Sequence, residues 1–299
     1  MGAVARVRFM ISIARWAIKK TARASVALGS WATWRLVGPG GASGRPEIRV
    51  LTYHRFGTVA RDPFCISPTD FKGQIAYLAE SGIAISLNEF EESVFGGRPP
   101  RRGAVLVTID DGFHSTYSSA LPILRDYAVP AVAFVTPSLI GRSGAVPVTA
   151  CSDCAPEDYM DWRELEQITG ANIAIGSHSW THRSLGRMSP AQAEDEVVRS
   201  REMIEQRLGE RVTAFAYPFG TRADFNARTA SILKGAGYCC AFTSQHGAVR
   251  PGLDPFSLPR VKVEGGEGLW LFKLLLRGGL DAWSWVDRTL WHIQASGHD

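Results

Sequence analysis

Two carboxylates, Asp110 and Asp111, stand side by side in "VTIDDGFHST" (residues 107–116), directly after an apolar β-branched run and directly before a glycine. Adjacent carboxylates repel, so the pair calls for a cation beside it. Farther along, "IGSHSWTHRSLG" carries His178 and His182, four apart and again behind an apolar run. On one helical turn that spacing sets both imidazoles on a single face, as a divalent cation requires. Two imidazoles and one carboxylate make three protein ligands and leave a position for water, the pattern of a hydrolytic zinc site rather than a structural one. With Asp111 as ligand, Asp110 lies next to that water as its proton acceptor, and the cation relieves the repulsion between the two acids. A plain Asx-capped turn would account for Asp110-Asp111-Gly112 and would leave the two histidines without a role.

Such side chains need rigid elements to bring them together. After Pro46, runs with strand character at 48–54, 104–110, 131–136, 172–178, 213–217, 239–244 and 256–263 alternate with helical patterns. Ser67 or Thr69 and Ser189 are the predicted helix caps, and glycines close the helices. The βα repeat predicts an α/β fold with a mainly parallel sheet. His54, the pair Asp110 and Asp111, and His178 fall at the C-terminal ends of three different strands, where barrels of this kind place their sites, so the sheet is expected to close. From Gly265 the chain is rich in Trp and Leu without alternation, which predicts one or two terminal helices. The expected organisation is a basic segment (1–46), a catalytic unit (47–264) and a helical extension (265–299).

The net charge of +4 hides an asymmetry, because residues 1–46 hold eight basic residues and no acidic one. The body is therefore slightly acidic, which excludes a nucleic-acid groove across the fold. In the basic segment, Val4, Val7, Met10, Ile11, Ala14 and Ile18 project to one helical face, with Arg8, Arg15, Lys19 and Arg23 largely on another. That pattern suits peripheral contact with anionic lipid through residues 1–35, while a solvated helix with basic trim is the alternative. Arg15 interrupts the apolar stretch, so neither a spanning helix nor a clean export signal is read there. The expected location is cytoplasmic or peripheral on the inner membrane, with export as the alternative, and nothing in the chain specifies an oligomeric state. Cys151 and Cys154 form a lone C-x-x-C with too few further ligands for zinc, and Cys65, Cys239 and Cys240 read as apolar fillers.

In this order, "TIDDG", "HSWTH" and "AYPFG" resemble the motifs of the polysaccharide deacetylases, the NodB-homology fold of carbohydrate esterase family 4, over roughly residues 48 to 264. The resemblance implies a distorted (β/α)7 barrel. It makes Asp110 the general base and Asp111, His178 and His182 the ligands of a divalent metal, typically Zn2+. The third motif departs from the family pattern, because Ala216 stands where an arginine is expected to steady the catalytic aspartate. Arg260 in "LPRVKV" is the candidate replacement, and surface exposure is its alternative. By the same resemblance the Phe219 backbone N–H serves as oxyanion donor. The family's usual late-strand acid motif does not occur after Arg260. His54 in "LTYHRFG" instead resembles the "YH" motif of the circularly permuted members that act on poly-N-acetylglucosamine, and it is preferred as general acid over His246, His114 and His292. Tyr53, Phe113, Tyr217, Pro218, Phe219 and Trp180 are candidate sugar-facing residues. The expected reaction is hydrolysis of an N-acetyl group on an acetylated polysaccharide or oligosaccharide. Rivals are an O-acetyl esterase, a deacetylase of a small or lipid-linked sugar, and a carbohydrate-binding module without turnover.

Overall fold

Seven strands in a computed structural model close into a parallel barrel in strict chain order: β1 (Arg49–Tyr53), β2 (Val105–Ile109), β3 (Ala131–Val135), β4 (Ile173–Ser177), β5 (Ala214–Ala216), β6 (Cys240–His246) and β7 (Leu258–Lys262). The structure describes residues 20–29, 47–59, 62–144 and 157–289. Closure is made by β7 pairing with β1, Leu51 against Val261 and Thr52 against Lys262. This is the expected distorted (β/α)7 architecture.

The period of two along each strand decides which side chains can reach the site. Val50, Leu106, Val132, Phe134, Phe242 and Leu258 fill the barrel interior. Their neighbours Leu51, Val107, Ala133 and Val261 pack outward against the helices. Following the inward parity past the strand ends leads from Val50 to His54, from Leu106 to Asp110, and from Leu258 to Arg260 and Lys262.

The helices begin where the side chains dictate. Ser67 accepts from the backbone N–H of Asp70 to start α1 (Pro68–Glu80), with Pro68 at its first turn. Ser86 and Glu89 form a reciprocal capping box on α2 (Leu87–Val94), a helix that the sequence reading lacked. Next come a π-helical turn at Thr116–Ala120, α3 (Leu121–Asp126), and α4 (Trp162–Thr169), whose Trp162 packs against the core. Ser189 and Gln192 box the start of α5 (Pro190–Leu208). Asn226 caps α6 (Ala227–Gly235), so in "RADFNARTASILKGAG", which reads as helical throughout, residues 222–226 precede the helix. The C-terminal extension holds two helices, α7 (Gly268–Leu276) and α8 (Trp283–Thr289).

Residues 20–29 form a helix docked on this extension. Arg23, expected on an exposed polar face, is 1% exposed. Its Nε donates to Glu267 at 2.6 Å and its Nη2 to the Lys262 carbonyl at 3.0 Å, while Lys20 reaches Glu264 at 3.1 Å. A buried guanidinium is tolerable only when so paired, which is why this stretch of the basic segment turns inward. Residues 1–19, Cys151, Cys154 and His292 lie outside the described residues. Cys65, Cys239 and Cys240 are free.

Candidate active site

The Asp pair leaves β2 in two directions because the backbone turns between them. Asp110 continues the strand, its N–H donating to the Tyr53 carbonyl at 2.9 Å, and its side chain points up the barrel axis. Asp111 takes a left-handed φ of 73°, and Gly112 follows at 79°. Asp is among the residues that tolerate this conformation. The turn swings the Asp111 carboxylate toward His178 and His182, whose Nε2 atoms lie 3.4 and 3.1 Å from its Oδ1. Ligand atoms of all three lie within 4.8 Å of one another, and all three residues are buried.

The histidines do not share a helical turn, contrary to the reading of their spacing. They bracket a loop in which Ser179 and His182 adopt φ of 62° and 61°. Four residues of tight loop bring two imidazoles together as well as a helical turn does, and their ring centroids are 4.8 Å apart. The loop is pinned at several points. His178 N–H donates to Val135 O, Ser179 Oγ accepts from His182 N–H, and Thr181 binds Glu196 of α5 through both backbone and hydroxyl. His178 Nδ1–H donates to the Ala216 carbonyl at 2.7 Å. That bond fixes the tautomer and leaves Nε2 as the ligand atom.

Arg260 lies on Asp110 with both nitrogens, Nη1 to Oδ1 at 2.8 Å and Nη2 to Oδ2 at 2.7 Å. Its Nε donates to Thr243 O, and Nη1 also meets Thr108 Oγ1. The guanidinium therefore enters from β7, and Ala216 on β5 contributes a carbonyl rather than a charge. Burial alone would raise the Asp110 carboxyl, but the charge of Arg260 and then of His178 holds it below the usual carboxylate range. Burial opposes ionisation of Asp111 too, and hydrogen bonds from His178 and His182 hold it well below that range. His178 is driven down by burial and, more strongly in sum, up by Asp111 and Asp110.

A cavity of about 400 Å³ opens over these groups, bounded on one side by His54, Phe64 and Lys262 and on the other by Tyr217, Phe219 and Ser244. Burial lowers His54 to about 4 despite the two aspartates, with Lys262 and Arg260 adding to the drop. Five buried polar atoms of this lining, Thr52 Oγ1, Asp111 Oδ2, His54 Nδ1, His182 Nδ1 and His246 Nε2, have no hydrogen-bond partner among the described residues. Buried polar groups are nearly always paired in folded proteins, so the lining is built for something the protein alone does not supply. Three ligand atoms of mixed imidazole and carboxylate type, one tautomer already fixed, fit a divalent cation. With an ionised carboxylate beside them facing the cavity, the arrangement is that of a metal-dependent hydrolase.

The other candidates divide sharply. Tyr217 and Phe219 line the cavity, the latter at φ 62°. Gly220, at φ 63°, is pressed onto β6 so closely that a Cβ would lie 2.5 Å from the Ser244 nitrogen, which locks the "AYPFG" turn in place. Tyr53 is a correction: strand parity turns it outward into the core, its hydroxyl on Gln74. Phe113 is another, because Gly112 has redirected the chain and the ring packs on Tyr159 and Leu139. Pro218 and Trp180 are not among the lining residues, and the Trp180 ring carries Arg199 at 4.1 Å. His114 is half-buried, paired with Glu164 and not among the lining residues. His246, ranked low from sequence, lines it: Nδ1 lies 3.1 Å from Asp287 Oδ2, which also accepts the His246 backbone N–H at 2.7 Å. Asp287, Arg23 and Trp283, also on this wall, were not singled out for the site. His246 shares strand parity with Ser244 and could have been ranked higher on that ground.

Comparison with known proteins agrees with this geometry. Residues 97–241 match the polysaccharide deacetylase family. The poly-beta-1,6-N-acetyl-D-glucosamine N-deacetylase of Staphylococcus epidermidis is 24% identical over 210 residues, 67% of this chain and 68% of that one. Among solved structures, the Streptococcus pyogenes deacetylase PplD in complex with acetate superposes with a TM-score of 0.66 at 21% identity, covering 78% of this chain and 98% of that one. IcaB from Ammonifex degensii gives 0.64 at 23% identity, covering 78% and 97%. In its barrel, the order of its motifs and its buried Asp-His-His cluster, the chain is thus similar to the CE4/NodB-homology polysaccharide deacetylases.

Proposed function

We propose that the protein removes the N-acetyl group from an N-acetylhexosamine unit of a glycan, releasing acetate. The observation that carries this reading is the pairing of the Asp111-His178-His182 cluster with a second carboxylate, Asp110, clamped by Arg260. A binding module needs no ionised base beside a metal site, which weighs against the carbohydrate-binding alternative. The likeness to the staphylococcal N-deacetylase supports an amide of glucosamine as the substrate class.

Asp111, His178 and His182 would hold the cation, with zinc the expected metal. When bound, a divalent cation polarises the acetyl carbonyl and acidifies water. Asp110, held ionised, takes the proton from the attacking water. Arg260 fixes the plane of that carboxylate and keeps it from rotating onto the ligand set. The Phe219 N–H, on a turn locked by Gly220, faces the oxyanion of the tetrahedral intermediate. His54 delivers a proton to the departing amine. Since it is neutral at pH 7, the proton it passes on is the one the attacking water gave up to Asp110, which returns both groups to their starting states. Tyr217 and Phe219 present apolar surface to the sugar.

The test is acetate release from acetylated β-1,6- and β-1,4-linked glucosamine oligosaccharides, with and without chelator and with metal restored. Release that stops with chelator and returns with zinc is the expected result. Release from O-acetylated xylan alone would favour the esterase rival, and binding without release on any glycan would favour the module.

A further inference from the structure

We propose that the outward faces of α7 and α8 form a docking surface for a bilayer containing anionic phospholipid. Large apolar side chains are concentrated there: Trp270 is 57% exposed, Trp285 is 61%, and Leu269 lies beside Trp270 at 38%. The core does not need them, since α7 is already anchored through Leu271, Phe272, Leu274 and Leu275 on its other face. Each exposed tryptophan is followed one turn later by a base, Trp285 by Arg288 and Trp270 by Lys273, whose ammonium rests 4.5 Å over the Tyr77 ring, and Arg277 extends the first series by another turn. The acids of the same extension are turned elsewhere: Glu267 to Arg23, Asp281 to Arg49 and Asp287 to His246.

Tryptophan flanked by Lys and Arg is the composition that settles at the headgroup level of a membrane, the ring at the acyl boundary and the cation among phosphates. The helix at 20–29 adds exposed Leu28 and is bound to this extension through Arg23. Of the eight bases of residues 1–46, Lys20 and Arg23 are paired with Glu264 and Glu267; the other six, with no acid among them, complement an anionic surface. Among the described residues no helix is long and apolar enough to cross a membrane. The surface is independent of the glycan assignment. It also has a bearing on access, because α8 carries Trp285 outward and Trp283 and Asp287 into the cavity lining.

The test is co-sedimentation of the full chain with phosphatidylcholine vesicles, with and without phosphatidylglycerol. Binding to the anionic vesicles, weakened by salt, is expected. The Trp270→Ser/Trp285→Ser variant should bind roughly tenfold less, and the corresponding Phe variant should recover part of the loss. Both should keep wild-type metal content and wild-type acetate release from a soluble oligosaccharide. Three results would overturn the proposal. One is no binding by the wild type. Another is binding that survives the tryptophan change but is lost when Arg6, Arg8 and Arg15 become Gln, which would put the contact on the arm alone. The last is a dimer that the tryptophan change dissolves, without vesicle binding, which would make the face a contact between copies.

Discussion

The two walls of the cavity are charged to a similar degree and satisfied to very different degrees. On the metal side, three buried ligand residues crowd together, partners are missing for Asp111 Oδ2 and His182 Nδ1, and Asp111, Ser179, His182 and Phe219 hold left-handed backbones. On the side built by the chain's terminal helices, Arg23 is closed by Glu264 and Glu267 and Asp287 by His246, and none of these five residues has a left-handed backbone. The first wall keeps an unmet demand that a ligand fills, and the second, apart from His246 Nε2, is a scaffold that meets its own. Strain and unpaired polarity are concentrated where chemistry is expected.

The largest effect should fall on the demanding wall. His178→Ala should abolish both bound metal, read by elemental analysis, and acetate release. Asp110→Asn should keep the metal and lower turnover about a thousandfold. Equal metal loss in both would mean that the two aspartates have exchanged roles. Arg260→Met should come next, because it strands a buried carboxylate. A loss of about 3–5 kcal/mol in urea unfolding is expected, with Arg260→Lys intermediate.

A pH effect on the metal-free protein follows. His54 is lowered from 6.5 to about 4 by burial, so between these values the unfolded chain takes up a proton that the folded one refuses. Stability must fall as pH drops through that window, by roughly 3 kcal/mol in total if His54 acts alone. His178, raised, gives its full contribution below 6.5 and so does not oppose the fall. Thermal unfolding from pH 7 to pH 4 measures this, and His54→Gln should flatten it. In turnover, His54→Gln should cost about a hundredfold in kcat, and His246→Gln should act mainly on KM. A larger kcat loss for His246 would make it the acid. The smallest effect is expected from Tyr53→Phe, about 1 kcal/mol of stability through the Gln74 bond, with kcat/KM unchanged.

Much of the barrel was readable because its signals are local. Apolar runs bounded by glycines and caps gave all seven strands to within a few residues, and the Asp-Asp and His-x-x-x-His spacings gave the ligand cluster. Strand parity also separates inward Arg260 from outward Tyr53, a distinction the sequence reading did not draw. The form of the histidine segment was not readable, since a spacing of four suits a helix and a tight loop equally, and nothing nearby announces left-handed residues at 179 and 182. Phe113 was misplaced because Gly112 breaks the parity that β2 had set. The scaffold wall was invisible for another reason: Arg23 and Glu267 are 244 residues apart and His246 and Asp287 are 41 apart, so no local pattern ties them.

That distance has a consequence in time. The Arg23 side chain waits for Glu264 and Glu267 to be synthesised, and His246 waits for Asp287. A chain still emerging from the ribosome can close much of its barrel and assemble its cation ligands while one side of the chamber is absent. The chamber becomes whole only when nearly the last described helix has been made, so the proposed release of acetate would need a chain extended through Asp287.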